Sequence, residues 1–330
     1  MQSKIWQIES AGGKACERLI PRPVPSAGHV LVRIAASGLN PLDTKIRAAK
    51  AGHAQQPLPA VLGLDMAGTV EEIGPGVTSF RAGDEVYGLV GGVGGHQGTL
   101  AEFVAADASL LAHKPRSLTM RQAAALPLST ITAWEGLVDR AAVSANQRVL
   151  IHAGAGGVGH IAVQIARASG AQVFATVSLN KKHLVESLGA VPIDYHAMSV
   201  EDYVRTLTND EGFDIVYDTV GGSTIDASFL AIRRYTGHVV SCLGWSTHSL
   251  APLSFRGATY SGVFTLLPML TGKGREHHGA ILTQAAALAD AGKLVPHLSE
   301  LRFTTADIDT ALDLVEAGSL GKVVIEIAAE

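Results

Sequence analysis

The stretch Arg148-Val149-Leu150-Ile151-His152-Ala153-Gly154-Ala155-Gly156-Gly157-Val158-Gly159 decides the fold. It opens as a short apolar run, the pattern of a buried strand. The run enters Gly154, Gly156 and Gly159, spaced as G-x-G-x-x-G, and continues into Ile161, Ala162, Ile165 and Ala166 at helical spacing. Missing side chains tighten such a turn, admit a pyrophosphate to the backbone and pack helix on strand. The helix start adds amide donors and the positive end of its dipole. Gly154, Ala155, Gly156, Gly157, Val158 and Gly159 are therefore read as a dinucleotide-binding bend.

Working outward, strands and helices alternate. Gln172 to Val177, Phe213 to Tyr217, His238 to Cys242 and Thr259 to Phe264 read as strands, with helices over 158–169 and 183–188. This is the pattern of an α/β, doubly wound parallel sheet. Before about Met120 the texture is different: short β-type pieces such as Val30 to Ile34, Gly68 to Ile73 and Asp84 to Leu89, punctuated by Pro and Gly. The tail reads as an Ala-rich helix from about Leu282, another over 305–317, and a closing strand from Lys322 to Ile327.

Which dinucleotide binds is read at the end of the second strand, where an acid about 20 residues past the turn would accept the ribose 2′-hydroxyl. None stands there. Val177 is followed by Ser178-Leu179-Asn180-Lys181-Lys182-His183, and Glu186 is the first carboxylate beyond. Ser178 with Lys181 or Lys182 suits a 2′-phosphate through charge-assisted bonds of roughly 1.5–3 kcal/mol each. NADPH is the expected cofactor.

At 330 residues the chain has length for about two domains. Apolar residues at 47% and charged residues at 17% argue against disorder. With 26 basic and 30 acidic residues the net charge is −4, so a basic footprint for nucleic acid or an anionic membrane is missing. Cys16 and Cys242 cannot build a disulfide framework and sit in no Cys-x-x-Cys pair, which fits a reducing compartment. The first residues lack the apolar core of a signal peptide, and no stretch approaches the roughly 18 apolar residues of a bilayer span. A soluble cytoplasmic protein is expected.

Ser37-Gly38-Leu39-Asn40-Pro41-Leu42-Asp43-Thr44-Lys45-Ile46-Arg47, Leu62-Gly63-Leu64-Asp65-Met66-Ala67-Gly68, Gly83-Asp84-Glu85-Val86 and Val216-Tyr217-Asp218-Thr219-Val220-Gly221-Gly222 join the glycine turn in a wider pattern. Together they resemble the medium-chain dehydrogenase/reductase superfamily, and within it the zinc-independent, ζ-crystallin-like quinone oxidoreductases. The resemblance covers essentially the whole chain. It implies a GroES-like, mostly β catalytic domain over 1–122, a Rossmann domain over 123–268 and a return to the catalytic domain over 269–330. It also implies Asn40 in the active-site cleft as donor to a developing oxyanion, Thr132 near the nicotinamide and Tyr195 flanking the adenosine phosphate. Further cofactor contacts are implied for Gly221 and Gly222, for Cys242, Leu243, Gly244 and Trp245, for Phe264, Thr265 and Leu266, and for Gly321 and Lys322.

Zinc members of that superfamily carry a catalytic Cys in the first segment and Gly-His-Glu in the second. Here Ser37-Gly38 and Gly63-Leu64-Asp65 stand in those places. Zinc needs nitrogen or sulfur ligands at tetrahedral spacing, so no metal is expected. Lys45 and Ala49-Lys50-Ala51 replace aromatic residues frequent among relatives, which alters the shape and charge of the substrate pocket.

Without zinc, hydride goes to an acceptor that is already electrophilic, a quinone or the β-carbon of an α,β-unsaturated carbonyl, and water supplies the proton. Two other readings stay open: an enoyl-thioester reductase of the same superfamily, and a non-catalytic NADPH-binding sensor or structural protein. The β-branched and aromatic edge strand over 259–264 is expected to pair with its twin in a homodimer.

Overall fold

The computed structural model describes residues 1–327, in two units: Met1–Leu128 with the described part of Leu266–Glu330, and Ser129–Thr265.

In the first unit the long strand His29–Gly38 is the spine. One of its edges pairs antiparallel with Asp65–Ile73, with register shifts at Leu31/Val32 and Ile34/Ala36. Such shifts bend and twist a strand, and two neighbours share the other edge: Phe103–Asp107 along its first half and Val324–Glu326 at its end. Val30, Leu31, Val32 and Ile34 are fully buried in this sheet. Gln2–Ile8 pairs separately with Ala15–Pro21 and Ala60–Val61. For the site, the important register is Gly38 opposite Asp65 on one edge and opposite Val324 on the other. It gathers three distant stretches at the end of the spine.

The second unit holds six parallel strands in the order Val191–Asp194, Gln172–Val177, Arg148–Ile151, Ile215–Asp218, His238–Ser241, Thr259–Gly262. The direction in which the sheet grows reverses between Arg148–Ile151 and Ile215–Asp218, the switch point at which doubly wound sheets take ligands. Val149, Leu150, Ile151, Val216, Tyr217, Val239 and Val240 are fully buried, as a sheet covered on both faces requires. Gly159–Ala168 and Lys182–Ser187 are helices within a residue or two of expectation. Val200–Thr208 and Ser223–Ala231 are helices the sequence reading left unassigned. The edge strand stops at Gly262 instead of reaching Phe264, and the strand expected from Phe213 starts at Ile215 because Phe213 bridges to Ile232. No helix among the described residues is long and apolar enough to cross a membrane.

Candidate active site

Six parallel strands bring all their C-terminal ends to one edge, so most of the expected cofactor residues share that edge of the second unit. At its centre is the glycine bend. Ala153, not a glycine, takes the left-handed conformation, with φ 54°. Gly159 is dictated by space: a Cβ there would stand 2.0 Å from the Ala153 carbonyl oxygen. A Cβ on Gly154 would stand 2.4 Å from that of Ala175. Gly157 is exposed, with its nearest neighbour 3.8 Å from a built Cβ. The N–H groups of Gly157, Val158 and Gly159 have no partner among the described residues. They are the orphan donors of the helix Gly159–Ala168 and point to an anionic group such as a diphosphate.

Val177 pairs with Asp194, so Ser178 and Tyr195 leave neighbouring strands side by side. Ser178 Oγ donates to Asn180 Oδ1 at 2.7 Å. Lys182 pairs with Glu186 at 3.5 Å, one turn along its own helix. Half-buried Lys181 has no carboxylate partner among the described residues. Tyr195 is exposed, its ring 4.2 Å from that of His196.

On the other side of the bend, buried Asp218 organises the second glycine loop. Its Oδ1 accepts the N–H groups of Val220 at 3.1 Å and Gly221 at 3.0 Å, and its Oδ2 accepts from Ser241 Oγ at 2.6 Å. Gly221 and Gly222 both have positive φ. Ser241 Oγ in turn accepts the Leu243 N–H at 3.1 Å. A Cβ on Gly244 would stand 2.1 Å from Tyr260 Oη, and Trp245 is exposed. Burial and Asp218 push the half-buried Cys242 thiol up to about 12, so it is no thiolate at neutral pH. Thr132 and Thr265 meet at 2.9 Å through their hydroxyls, beside half-buried Phe264.

The remaining expected residues lie in the first unit. Leu266 is buried where the chain returns to that unit, and Gly321 has φ 81° where a Cβ would stand 2.4 Å from Leu298 C. Asn40 and Lys322 are brought together, and sequence reasoning had not named their buried partners, Asp43 and Asp65. Asn40 Nδ2 donates to Asp65 Oδ2 at 3.0 Å and to the Gly38 carbonyl at 3.4 Å, while its Oδ1 accepts from Lys322 Nζ. Lys322 Nζ also lies 3.3 Å from Asp65 Oδ2, and Asp65 Oδ1 accepts the Leu128 N–H at 2.8 Å. Asp43 accepts the N–H groups of Asn40 and Gly63, both at 2.8 Å. Burial pushes Asp43 up to about 7 against those two N–H groups, with Asp65 pushing the same way and Lys322 opposing. Burial also raises Asp65, against Lys322, Asn40 and the Leu128 amide. Asn40 thus has both amide hydrogens engaged inside the cluster.

Residues 26–116 match the alcohol dehydrogenase GroES-like domain, and residues 157–273 match the zinc-binding dehydrogenase family. A 2-methylene-furan-3-one reductase of Solanum lycopersicum is 34% identical over 341 residues, spanning 98% of this chain and 79% of its own. The chain belongs to the medium-chain dehydrogenase/reductase superfamily. An NADPH-dependent alkenal/one oxidoreductase of Arabidopsis thaliana, described as chloroplastic, is 39% identical over 265 residues, 77% of this chain and 65% of its own. Among solved structures, an alcohol dehydrogenase superfamily protein from Novosphingobium aromaticivorans is 56% identical with a TM-score of 0.97, covering 99% of this chain and 100% of its own. A quinone oxidoreductase from Coxiella burnetii is 28% identical with a TM-score of 0.83, again covering 99% and 100%.

The places that the resemblance sets against the metal ligands of zinc members hold Ser37, Leu64 and Asp65. Ser37 Oγ is 2.6 Å from Thr99 Oγ1, Leu64 is apolar and fully buried, and both Asp65 carboxylate oxygens are engaged. No three His, Cys, Asp or Glu side chains gather among the described residues. These three side chains offer none of the nitrogen or sulfur ligands that zinc favours. The bend does fit a dinucleotide, by its unpartnered amides and its exposed Gly157. Asp65 carried a usable signal: a carboxylate inside the apolar run Leu62-Gly63-Leu64-Asp65-Met66-Ala67 is costly unless paired.

Proposed function

We propose that this superfamily member is an NADPH-dependent, zinc-independent reductase that transfers hydride to quinones or α,β-unsaturated carbonyls. One observation carries the cofactor reading: the amides of Gly157, Val158 and Gly159 are unpartnered beside a strand end that offers Ser178 and Lys181 and no carboxylate. The amides would hold the diphosphate, and Lys181 with Ser178 would meet the 2′-phosphate. Lys181 is favoured over Lys182, whose ammonium faces Glu186. Tyr195 would cover the adenosine, and the loops carrying Gly221, Gly222 and Cys242 to Trp245, with Thr132 and Thr265, would line the nicotinamide end. When bound, the cofactor supplies the hydride.

The acceptors named for the relatives support the substrate class. An alkenal, an alkenone, a methylene-furanone and a quinone each place a C=C bond in conjugation with a carbonyl. Reduction of such an acceptor builds negative charge on the carbonyl oxygen, and this chain's part is to hold and stabilise it. Lys322 is the group we assign to that charge: its ammonium uses two of its hydrogens on Asn40 and Asp65 and keeps a third, while Asn40, with both amide hydrogens engaged, orients it. Water completes the protonation. We also propose a homodimer through the outermost strand Thr259–Gly262, and a cytoplasmic location that keeps Cys16 and Cys242 reduced.

The test is NADPH oxidation against quinones, enones and enoyl thioesters, with and without a chelator. Turnover with quinones or enones that survives chelation is expected. Turnover with enoyl thioesters alone would move the assignment to a thioester reductase, and NADPH binding without any oxidation would make the protein a sensor. Sedimentation as a monomer at micromolar concentration would remove the dimer.

A further inference from the structure

His152 follows the strand Arg148–Ile151 at the switch point of the sheet and is 3% exposed. Its Nδ1 lies 3.2 Å from Thr176 Oγ1. The same hydroxyl oxygen accepts the Ala153 N–H at 3.0 Å, and the Thr176 carbonyl accepts the Gly154 N–H at 3.0 Å. One residue of the neighbouring strand therefore holds two successive amides at the entrance to the bend. The first of them belongs to Ala153, whose left-handed backbone is strained for any residue with a Cβ and persists only where its surroundings over-determine it. The Ala153 carbonyl also accepts the Gly156 N–H at 2.8 Å and is the atom against which Gly159 closes. Displacing Ala153 would move the whole bend.

The hydroxyl accepts from Ala153 and has one hydrogen to give, for which His152 Nδ1 is the acceptor in reach. The proton of a neutral imidazole then sits on Nε2, a buried nitrogen with no hydrogen-bond partner among the described residues. Burial drives this imidazole down to about 4 against the pull of Asp218, which keeps it neutral at pH 7 and able to accept.

We propose that Thr176, oriented by His152, is a positioning residue for the dinucleotide: it pins the left-handed Ala153 so that the amides of Gly157, Val158 and Gly159 keep the arrangement that receives a diphosphate. This rests on the cofactor reading above. Neither side chain takes part in the chemistry.

The experiment compares NADPH dissociation constants and steady-state parameters of the wild type with those of Thr176→Val, Thr176→Ser, Ala153→Gly and the double variant Thr176→Val with Ala153→Gly. Valine keeps the shape of threonine and removes the hydroxyl. The expectation is an NADPH Kd and KM raised about tenfold in Thr176→Val, with kcat within about twofold of wild type. Serine should return the affinity, and glycine at 153 should recover part of it in the double variant by taking the left-handed conformation without strain. Thr176→Ala carries the same expectation if the valine variant does not fold. Wild-type affinity in whichever variant folds, or failure of serine to rescue, overturns the proposal. A wild-type protein that binds neither NADPH nor NADH overturns the cofactor reading and this proposal together, whereas wild-type binding left unchanged by the variants overturns this proposal alone.

Discussion

The two units hold their polar chemistry by opposite means. In the second, the working groups are backbone amides, exposed by removing side chains: Gly159 and Gly154 leave room where a Cβ would meet the Ala153 carbonyl and Ala175. In the first, the working groups are side-chain charges taken out of water, with Asp43, Asp65, Asn40 and Lys322 all under a tenth exposed. A bend made of backbone has its residue types set by sterics. A buried charge cluster has them set by mutual compensation, and its members come from anywhere in the chain.

The contrast predicts different failures. Asp65→Ala would leave the Lys322 ammonium, the Asn40 amide and the Leu128 N–H without their shared acceptor. Removing one partner of a buried ion pair typically costs about 3–5 kcal/mol. Chemical denaturation should show a loss of that order, and a loss under about 1 kcal/mol would mean the cluster relaxes or hydrates. Gly159→Ala should cost less, about 1–3 kcal/mol for forced overlap with backbone, and abolish measurable NADPH binding. Gly157→Ala, with its Cβ at an ordinary contact distance of 3.8 Å from its nearest neighbour, should leave the melting temperature unchanged. If the two alanine variants behave alike, the steric account of the bend is wrong.

Next come opposed pH dependences. Asp43 sits near 7 in the folded chain against an ordinary 3.8, so between about pH 4 and 7 the unfolded chain has lost a proton that the fold retains. Stability contributed by this group falls as pH rises through that window. His152, near 4 against an ordinary 6.5, does the reverse: stability is lost as pH falls from about 6.5 to 4. Asp43 faces Asp65 and Lys322, and His152 faces Asp218. Denaturation across pH 4–8 should lose the first slope in Asp43→Asn and the second in His152→Gln. Asp43→Asn should also be less stable overall, because an amide offers one acceptor where Asn40 and Gly63 each need one. An unchanged slope in either variant would break the assignment. The smallest effect is at the adenosine end, where Lys181→Ala should weaken NADPH several-fold and Lys182→Ala hardly at all, with NADH binding the same in both.

What could be read in the sequence follows the same division. The glycine spacing after Arg148–Ile151 is legible because the close approaches at Gly154 and Gly159 exclude every other residue, and the parallel order follows from strands alternating with helices. The Asp65–Lys322 pair spans 257 positions, and no local pattern announces it. Asn40 was read as a free donor because its neighbourhood was known only from adjacent residues. The pairing of Lys182, on which our proposed preference for Lys181 rests, was within reach of the sequence, since Glu186 stands four residues past Lys182, the spacing of a helical ion pair. Ser223–Ala231 escaped because its Ser and Thr residues weaken the helical signal, and Pro41–Arg47 because seven residues barely show a period.

The central claim is that a phosphorylated nicotinamide cofactor delivers its reducing equivalent to an activated C=C or quinone acceptor with no metal to assist. Turnover of an enone with NADPH and with NADH, by protein dialysed against a strong chelator, addresses it most directly. The account predicts an undiminished rate with NADPH and a KM for NADH at least about tenfold higher. A rate abolished by the chelator and returned by zinc, or NADH serving as well as NADPH, would contradict it.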